Sequence, residues 1–309
     1  MIEIKGLGGI SAKVIADSIT ERGERMTTFE LEYHRWVHSE NLTHKMLSAN
    51  SSSSRAIPLE KAINMTVDQN LYPIHWGAKQ AGMQARNELD DETIVKAKAV
   101  WDDIRSAIVD GCKKLDELGA HKQWAARPLE AFQTIKVVRS GTDWNNFLWL
   151  RDDDMAQPEI RELAKCIKQC LEQSIPEILM EGDLHVPYVN VKYDHLGLRR
   201  YYDSGDNELT IDEAMMISTS CCAQISYRKL DDSKEDAIRI YRKLFEQDKV
   251  HASPSEHVCS PIGDVDNVFD VRQWPDGVTH VTRQGELYSG NLRGWIQFRQ
   301  LIKNHVVRG

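Results

Sequence analysis

No stretch of this chain approaches the roughly 18 consecutive apolar residues of a membrane-spanning helix. Its opening, MIEIK, lacks the basic-then-apolar pattern of an export signal. A cytoplasmic protein without a membrane partner is expected. Cationic excess is missing as well: 39 Lys+Arg against 47 Asp+Glu give a formal net charge of −8. That balance argues against duplex nucleic acid as a partner while allowing a local basic pocket. The six cysteines, Cys112, Cys166, Cys170, Cys221, Cys222 and Cys259, include no CxxC pair. The thiols are therefore read as reduced and buried, with no metal site. Internal repeats are absent, and low-complexity sequence is confined to one serine run. At 309 residues, 41% of them hydrophobic, the chain can bury a substantial core.

What stands out is Thr43 to Pro58, THKMLSANSSSSRAIP. Ser48, Ser51, Ser52, Ser53 and Ser54 offer hydroxyls and unhindered backbone N–H groups, the parts of an anion cradle. Arg55 ends the run with a planar fork suited to phosphate or carboxylate. A flexible serine linker is the competing reading. Against it, the stretch is bracketed by His44-Lys45 and by Arg-Ala-Ile-Pro, and it follows a segment that reads as an ordered helix.

Periodicity and capping residues set the remaining expectations. Gly6, Gly8 and Ser11 only partly imitate a dinucleotide fingerprint, so GLGGIS is read as a glycine turn. Lys13 to Ile19 is predicted helical. A second helix is predicted from Thr27, with Glu30 completing a capping box. Phe29, Tyr33, Trp36, Val37, Met46 and Leu47 would form its partly buried face, and Glu40 and His44, four apart, would share one side. Pro58 opens a further helix, and residues 71–85 read as an ordered loop. From Asp91 a long amphipathic helix carries Ile94, Ala97, Trp101, Ile104, Ile108, Cys112 and Leu115 as a core stripe. More helices are predicted over 121–182, with Thr142 capping one and Pro158 opening another. There Arg127, Asn146, Arg151, Gln157 and Arg161 stand among Trp144, Phe147, Leu148, Trp149 and Leu150. Past 183, HVPYVNV, VFDVRQW and THVTRQGELY read as strands, around one helix capped by Thr210 and Glu213. The expected class is α+β, helix-rich with a small mixed sheet. One catalytic domain spans 1–309, its helical segment about 27–182 and its strand-containing segment about 183–309.

Three separated segments resemble the flavin-dependent thymidylate synthases. THKMLSANSSSSR at 43–55 is similar to that family's RHRxxSxNExSxR, with His44, Ser48, Asn50, Ser53 and Arg55 matching. Thr43 and Lys45 stand where the family has arginine, and Ser51 where it has glutamate. NNFLWLRDDDMAQPEIRELA at 145–164 is similar to NFLxLRxDxxAQxEIR, with Asn146, Arg151, Ala156, Gln157, Glu159 and Arg161 in place. SCCAQISYRK at 220–229 and HASPSEH at 251–257 look like the ARVSY and HxSPFEH motifs, here following the other two in a permuted order.

The resemblance implies the family's fold, a homotetramer with active sites between subunits, and methyltransferase activity that converts dUMP to dTMP. It implies FAD as cofactor, with 5,10-methylenetetrahydrofolate and NADPH as co-substrates. By residue, Arg55, Ser53 and Arg127 would hold the dUMP phosphate, and Arg151 would pair with the uracil ring. Glu40 would contact substrate, and His44, Lys45, Asn50, Asn146, His251, Ser253 and Glu256 would line the flavin. Arg151, His44 and Ser53 are the expected catalytic groups. The departures at 43, 45 and 51 leave two alternatives, a flavin-dependent pyrimidine nucleotide hydroxymethylase and an inactive nucleotide-binding relative.

Overall fold

Phe29, Leu31 and Tyr33 put an apolar side chain at every second position, and all three are fully buried. That alternation suits one buried face of a strand, and Arg25–His34 is the central strand β3 of the computed structural model, which describes residues 2–226 and 233–307. The helix expected from Thr27 is therefore a strand. Thr27 and Glu30 have the spacing of a capping box, but the period-two burial and two strand partners decide the conformation. The helix expected over Lys13 to Ile19 is likewise a strand. Ser11–Thr20 (β2) runs antiparallel to β3, from Ser11 opposite Glu32 to Ile19 opposite Arg25.

Before β2 lies the short strand Glu3–Lys5 (β1), then a glycine turn in which Gly8 has φ +62°. After β3 come the helical turn His38–Asn41 (α1), the strand Ser48–Ser51 (β4), and the helices Leu59–Gln69 (α2), Asp91–Glu117 (α3) and Lys122–Ala125 (α4). Thr134–Gly141 (β5), Trp144–Arg151 (α5), Pro158–Gln173 (α6) and Glu177–Leu179 (β6) complete this part. β3, β5 and β4 are neighbours in that order, all antiparallel. β1 and β6 share the far edge of β2, with β6 parallel to it. The three longest strands thus precede residue 142, with β5 and most of β3 inside the segment expected to be helical and β2 before it. β2 and β3 form a hairpin, whereas β3 pairs on its other side with the distant β5, a contact that local signals do not carry.

One face of this sheet is the apolar core. Phe29, Leu31, Tyr33 and Val137 pack with Trp144 and Phe147 of α5 and with Ile160, Leu163, Ala164 and Ile167 of α6. Full burial of a side chain such as Phe29 contributes roughly 1.5–3 kcal/mol. The opposite face carries Thr28, Val138 and Ser140. It is covered by Ile211–Ala223 (α7), by the 3₁₀ turn Ser253–His257, and by the segment around His185. Thr210 and Glu213 form the expected capping box of α7.

α3 begins where expected, capped by Asp90, whose carboxylate accepts from the Thr93 N–H at 2.8 Å. It is less buried than its stripe predicts: Ile104 is 46% and Leu115 37% exposed, and only Val109 and Cys112 are fully covered. The 121–132 segment is one short helix and a 3₁₀ turn, Arg127–Phe132. Thr142 does not cap α5; Asp143 holds that position without a side-chain cap.

The remaining elements are Asn190–Tyr193 (β7), Arg199–Tyr202 (β8), Glu208–Leu209 (β9), Lys234–Phe245 (α8), Cys259–Pro261 (β10) and His280–Val281 (β11). Leu287–Ser289 (β12), Leu292–Arg293 (β13) and Trp295–Gln297 (β14) end the chain's strands. VFDVRQW is not a strand. The Asp270 carboxylate accepts from the Arg272 N–H at 3.1 Å, and Asn267 accepts from Phe269 at 3.1 Å, folding it into a turn. All six cysteines are buried and none is in a disulfide. Among the described residues no His/Cys/Asp/Glu cluster suits a metal ion, and no helix is long and apolar enough to cross a membrane.

Candidate functional site

Serine is a turn former rather than one of the β-branched or aromatic residues enriched in strands, yet Ser48–Ser51 of the serine stretch is strand. β4 lies on the outer edge of β5, with Ser48 opposite Ser140 and Ser51 opposite Val137, and the Ser52 N–H donates to the Lys136 carbonyl at 2.9 Å. The stretch is thus neither linker nor free loop up to Ser52. Gly141 permits the approach, since a Cβ there would lie 2.4 Å from Leu47 Cδ2. Ser48 is buried and takes part in a network with Asn291, whose amide also donates to the Met46 carbonyl at 3.0 Å.

The β3–α1–β4 connection passes beside the C-terminus of α5, and Arg151 joins the two. Its Nε–H donates to His44 Nε2 at 2.9 Å and its Nη2 to Thr43 Oγ1 at 3.1 Å, while Nη1 is ion-paired with Glu40. Burial lowers the His44 pKa to about 4, with the Arg151 and Arg139 charges acting in the same direction. At neutral pH His44 is therefore uncharged and acts as an acceptor toward Arg151, with its own proton on Nδ1. Thr43 supplies a hydroxyl acceptor to the same guanidinium.

Beneath this group lies Arg139, which sequence reasoning missed. It is fully buried on β5, donating from Nη1 to Asn41 Oδ1 at 2.6 Å and from Nη2 to the His44 carbonyl at 2.9 Å. Its Nε has no partner, and no carboxylate pairs with it among the described residues. Burial brings its pKa down to about 10, still leaving a cation at neutral pH. That charge helps hold His38 and His44 neutral, although burial is the larger cause for both. Arg139→Met is therefore expected to raise the pKa of both histidines above about 4 yet keep them below 6.5. Histidine ring resonances followed by NMR against pH would read this directly. Unmoved titrations would show that the buried charge does not reach the cavity.

Thr43, His44, Lys45, Asp143, Asn146, Phe147, Leu150 and Arg151 line a cavity of about 260 Å³. Four of the predicted site residues, His44, Lys45, Asn146 and Arg151, share it, and Glu40 joins through Arg151. On the other side of β4, Asn50 meets His257 at 3.3 Å, which brings the 251–257 segment against the 43–55 segment. Ser253 is exposed and lends its backbone carbonyl to the same contact. Glu256 does not face a vacant site: it is ion-paired with Arg299. His251 is exposed. Ser53 and Arg55 follow β4 on the surface, and Arg127 is ion-paired with Glu130 at 2.9 Å. None of these three lines the cavity. Tyr227, Arg228 and Lys229 of the 220–229 segment lie outside the described residues.

A cavity of about 260 Å³ is below the roughly 300–1,000 Å³ of whole-ligand pockets. It suits one ring system rather than an entire dinucleotide. Arginine, lysine and amide donors around it match carbonyl oxygens or phosphate. A larger cavity of about 790 Å³ lies between Glu3–Ser11 and Gln69–Ile74 and contains none of the motif residues. Size alone would favour that cleft, but the convergent charged groups are at the smaller one. Comparison of the chain with models of known families and with curated proteins finds no match.

Proposed function

We propose that this chain is a flavin-dependent thymidylate synthase, reductively methylating dUMP to dTMP with 5,10-methylenetetrahydrofolate and FAD reduced by NADPH. The observation that carries the reading is convergence. Segments over a hundred residues apart that resemble three motifs of one family meet on the two sides of β4, through Arg151 with His44 and through His257 with Asn50. The fold proposed is that family's, at the finer level of the mixed α+β architecture.

In this reading Arg151 is the fixed cation at the uracil ring, where charge builds on the carbonyl oxygens. Glu40 and neutral His44 hold its guanidinium in one orientation before substrate arrives. Ser53 and Arg55, with Arg127, receive the phosphate by charge-assisted hydrogen bonds. Lys45 and Asn146 at the cavity rim, and Asn50 with the Ser253 segment, lie along FAD, as would His251; Glu256 is held back by Arg299. FAD, when bound, supplies the redox chemistry. Because Ser53, Arg55 and Arg127 lie outside the Arg151 cavity, a homotetramer whose sites are closed by neighbouring subunits suits the arrangement.

The decisive assay is tritium release from 5-tritiated dUMP with the folate donor, FAD and NADPH, followed by product mass. Release with dTMP as product is expected. A hydroxymethylated product would replace this reading with the hydroxymethylase. Absence of release from protein that binds dUMP would reduce the chain to a nucleotide binder.

A further inference from the structure

Behind β4, on the sheet face away from the α5/α6 core, five side chains form one hydrogen-bonded file ending on Asn50. Ser18 Oγ meets His185 Nδ1 at 2.9 Å, His185 Nε2 meets Thr28 Oγ1 at 2.8 Å, and Thr28 meets Ser140 Oγ at 2.7 Å. Ser140 then meets His257 Nδ1 at 2.7 Å, and His257 Nε2 reaches the Asn50 amide at 3.3 Å. Ser18 is 2% exposed and the other four members are fully buried. Burial holds both imidazoles neutral, each with a pKa near 3. Every hydroxyl and every ring in the file therefore has one proton to give. A hydroxyl can accept from both neighbours, but a reversal at Thr28 or Ser140 strands that hydroxyl's own proton in the interior, whereas one direction throughout leaves the unused proton on Ser18, the one member with residual exposure.

Asn50 decides which direction. The amide atom turned toward His257 also lies 3.3 Å from the Ser253 carbonyl oxygen and 3.2 Å from that of Ala49, so it is the NH₂ group. Asn50 then donates to His257 Nε2. His257 Nδ1–H donates to Ser140, Ser140 to Thr28, Thr28 to His185 Nε2, and His185 Nδ1–H to Ser18. The surplus hydroxyl proton falls on Ser18 at the far end. The opposite direction would press Asn50 Oδ1 against two carbonyl oxygens.

We propose that the Ser253 and Ala49 carbonyls, with the acceptor nitrogen that the file presents at His257, keep the Asn50 NH₂ turned to them, so that Oδ1 is the atom left for a ligand group, which is then an N–H or O–H donor. Ser140, Thr28 and the two histidines are thereby positioning residues, acting on the ligand only through Asn50. Identifying that ligand with FAD rests on the proposed function; the direction of the file does not.

The test is ¹⁵N NMR of the ring-labelled histidines in the full chain without ligand. Both His185 and His257 are expected as the Nδ1–H tautomer, and Nε2–H at either overturns the proposal. In Asn50→Asp, whose carboxylate can only accept from His257, both rings are expected to switch to Nε2–H, including His185, which Asn50 does not touch. A switch at His257 alone would break the claimed coupling. If that variant does not fold, the wild-type tautomers still decide. Addition of FAD, followed by flavin fluorescence, is expected to leave both tautomers in place, and their reversal would overturn the acceptor role. Failure of FAD to bind would count against the proposed function alone, with the ligand-free tautomers standing.

Discussion

Arg151→Ala is expected to lose roughly 10²–10³-fold in turnover, the scale of removing one preorganised donor from a site where charge develops. Among the described residues Arg151 is the one side chain that touches all three groups on the facing connection, Glu40, Thr43 and His44. Without it Glu40 is an unpaired carboxylate at the cavity edge and His44 loses the donor that orients its ring. The substitution should cost about 1–3 kcal/mol of stability, as for hydrogen bonds to a charged group, so the protein remains folded. Arg151→Lys separates charge from geometry. An ammonium keeps the cation, but a point donor cannot serve three acceptors spread around a planar fork, and most of the loss should persist. Tritium release, thermal melting and retention of FAD on each variant settle the matter. Unreduced turnover in the alanine variant would remove Arg151 from the reaction.

Legibility in the sequence followed the range of the interactions. The α7 capping box, the Pro158 start of α6 and the buried thiols outside any disulfide rest on contacts within a few residues or on composition, and each stands in the structure. β2 and β3 do not: they pair with each other as a hairpin, but β3 is also paired with β5 and β2 with β6, both distant in the chain. Thr27 and Glu30 satisfied a helical template at one spacing while Phe29, Leu31 and Tyr33 satisfied a strand template at another. The second prevailed because it buries three large side chains on a sheet face. The serine stretch misled for a related reason: β4 is a strand because β5 offers an open edge, whatever serine prefers. Motif spacing singled out His44, Asn146 and Arg151, and the structure brings the three to one cavity. Arg139 was not singled out, because an arginine in VVRSG reads as a solvated strand position and nothing in the sequence reports its burial. Glu256 was placed beside a cofactor, and the structure instead pairs it with Arg299, 43 residues on.

Acid is expected to unfold this protein earlier than its carboxylates alone would require. His185 and His257 have folded-state pKa values near 3, against about 6.5 when unfolded. The unfolded chain therefore takes up their protons first. Their contribution to stability is complete above about pH 6.5, falls as pH drops below that value, and is exhausted near pH 3. At pH 5 each buried ring costs roughly 2 kcal/mol relative to neutral pH, by the same linkage. Two such losses are large against a total stability of about 5–15 kcal/mol. His38 and His44, with pKa values near 4, act in the same direction, more weakly because both are partly exposed. Carboxylates held below their ordinary range, such as Asp194 by the Leu198 N–H and Glu177, against the opposing effect of burial, by Arg199, lose their contribution only as pH falls through and below that range, so between pH 7 and 5 the histidines govern the slope. Urea midpoints measured across that range should fall steeply, and a flat profile would mean that the two rings titrate as exposed imidazoles do. The steepness has a source beyond burial. Each ring sits in a file that already has as many donors as it can place, so a second ring proton finds a donor facing it where an acceptor is needed. Protonation must then break a hydrogen bond in the interior as well as carry a charge into it, and the file that aligns Asn50 is also the part of the fold that acid opens first.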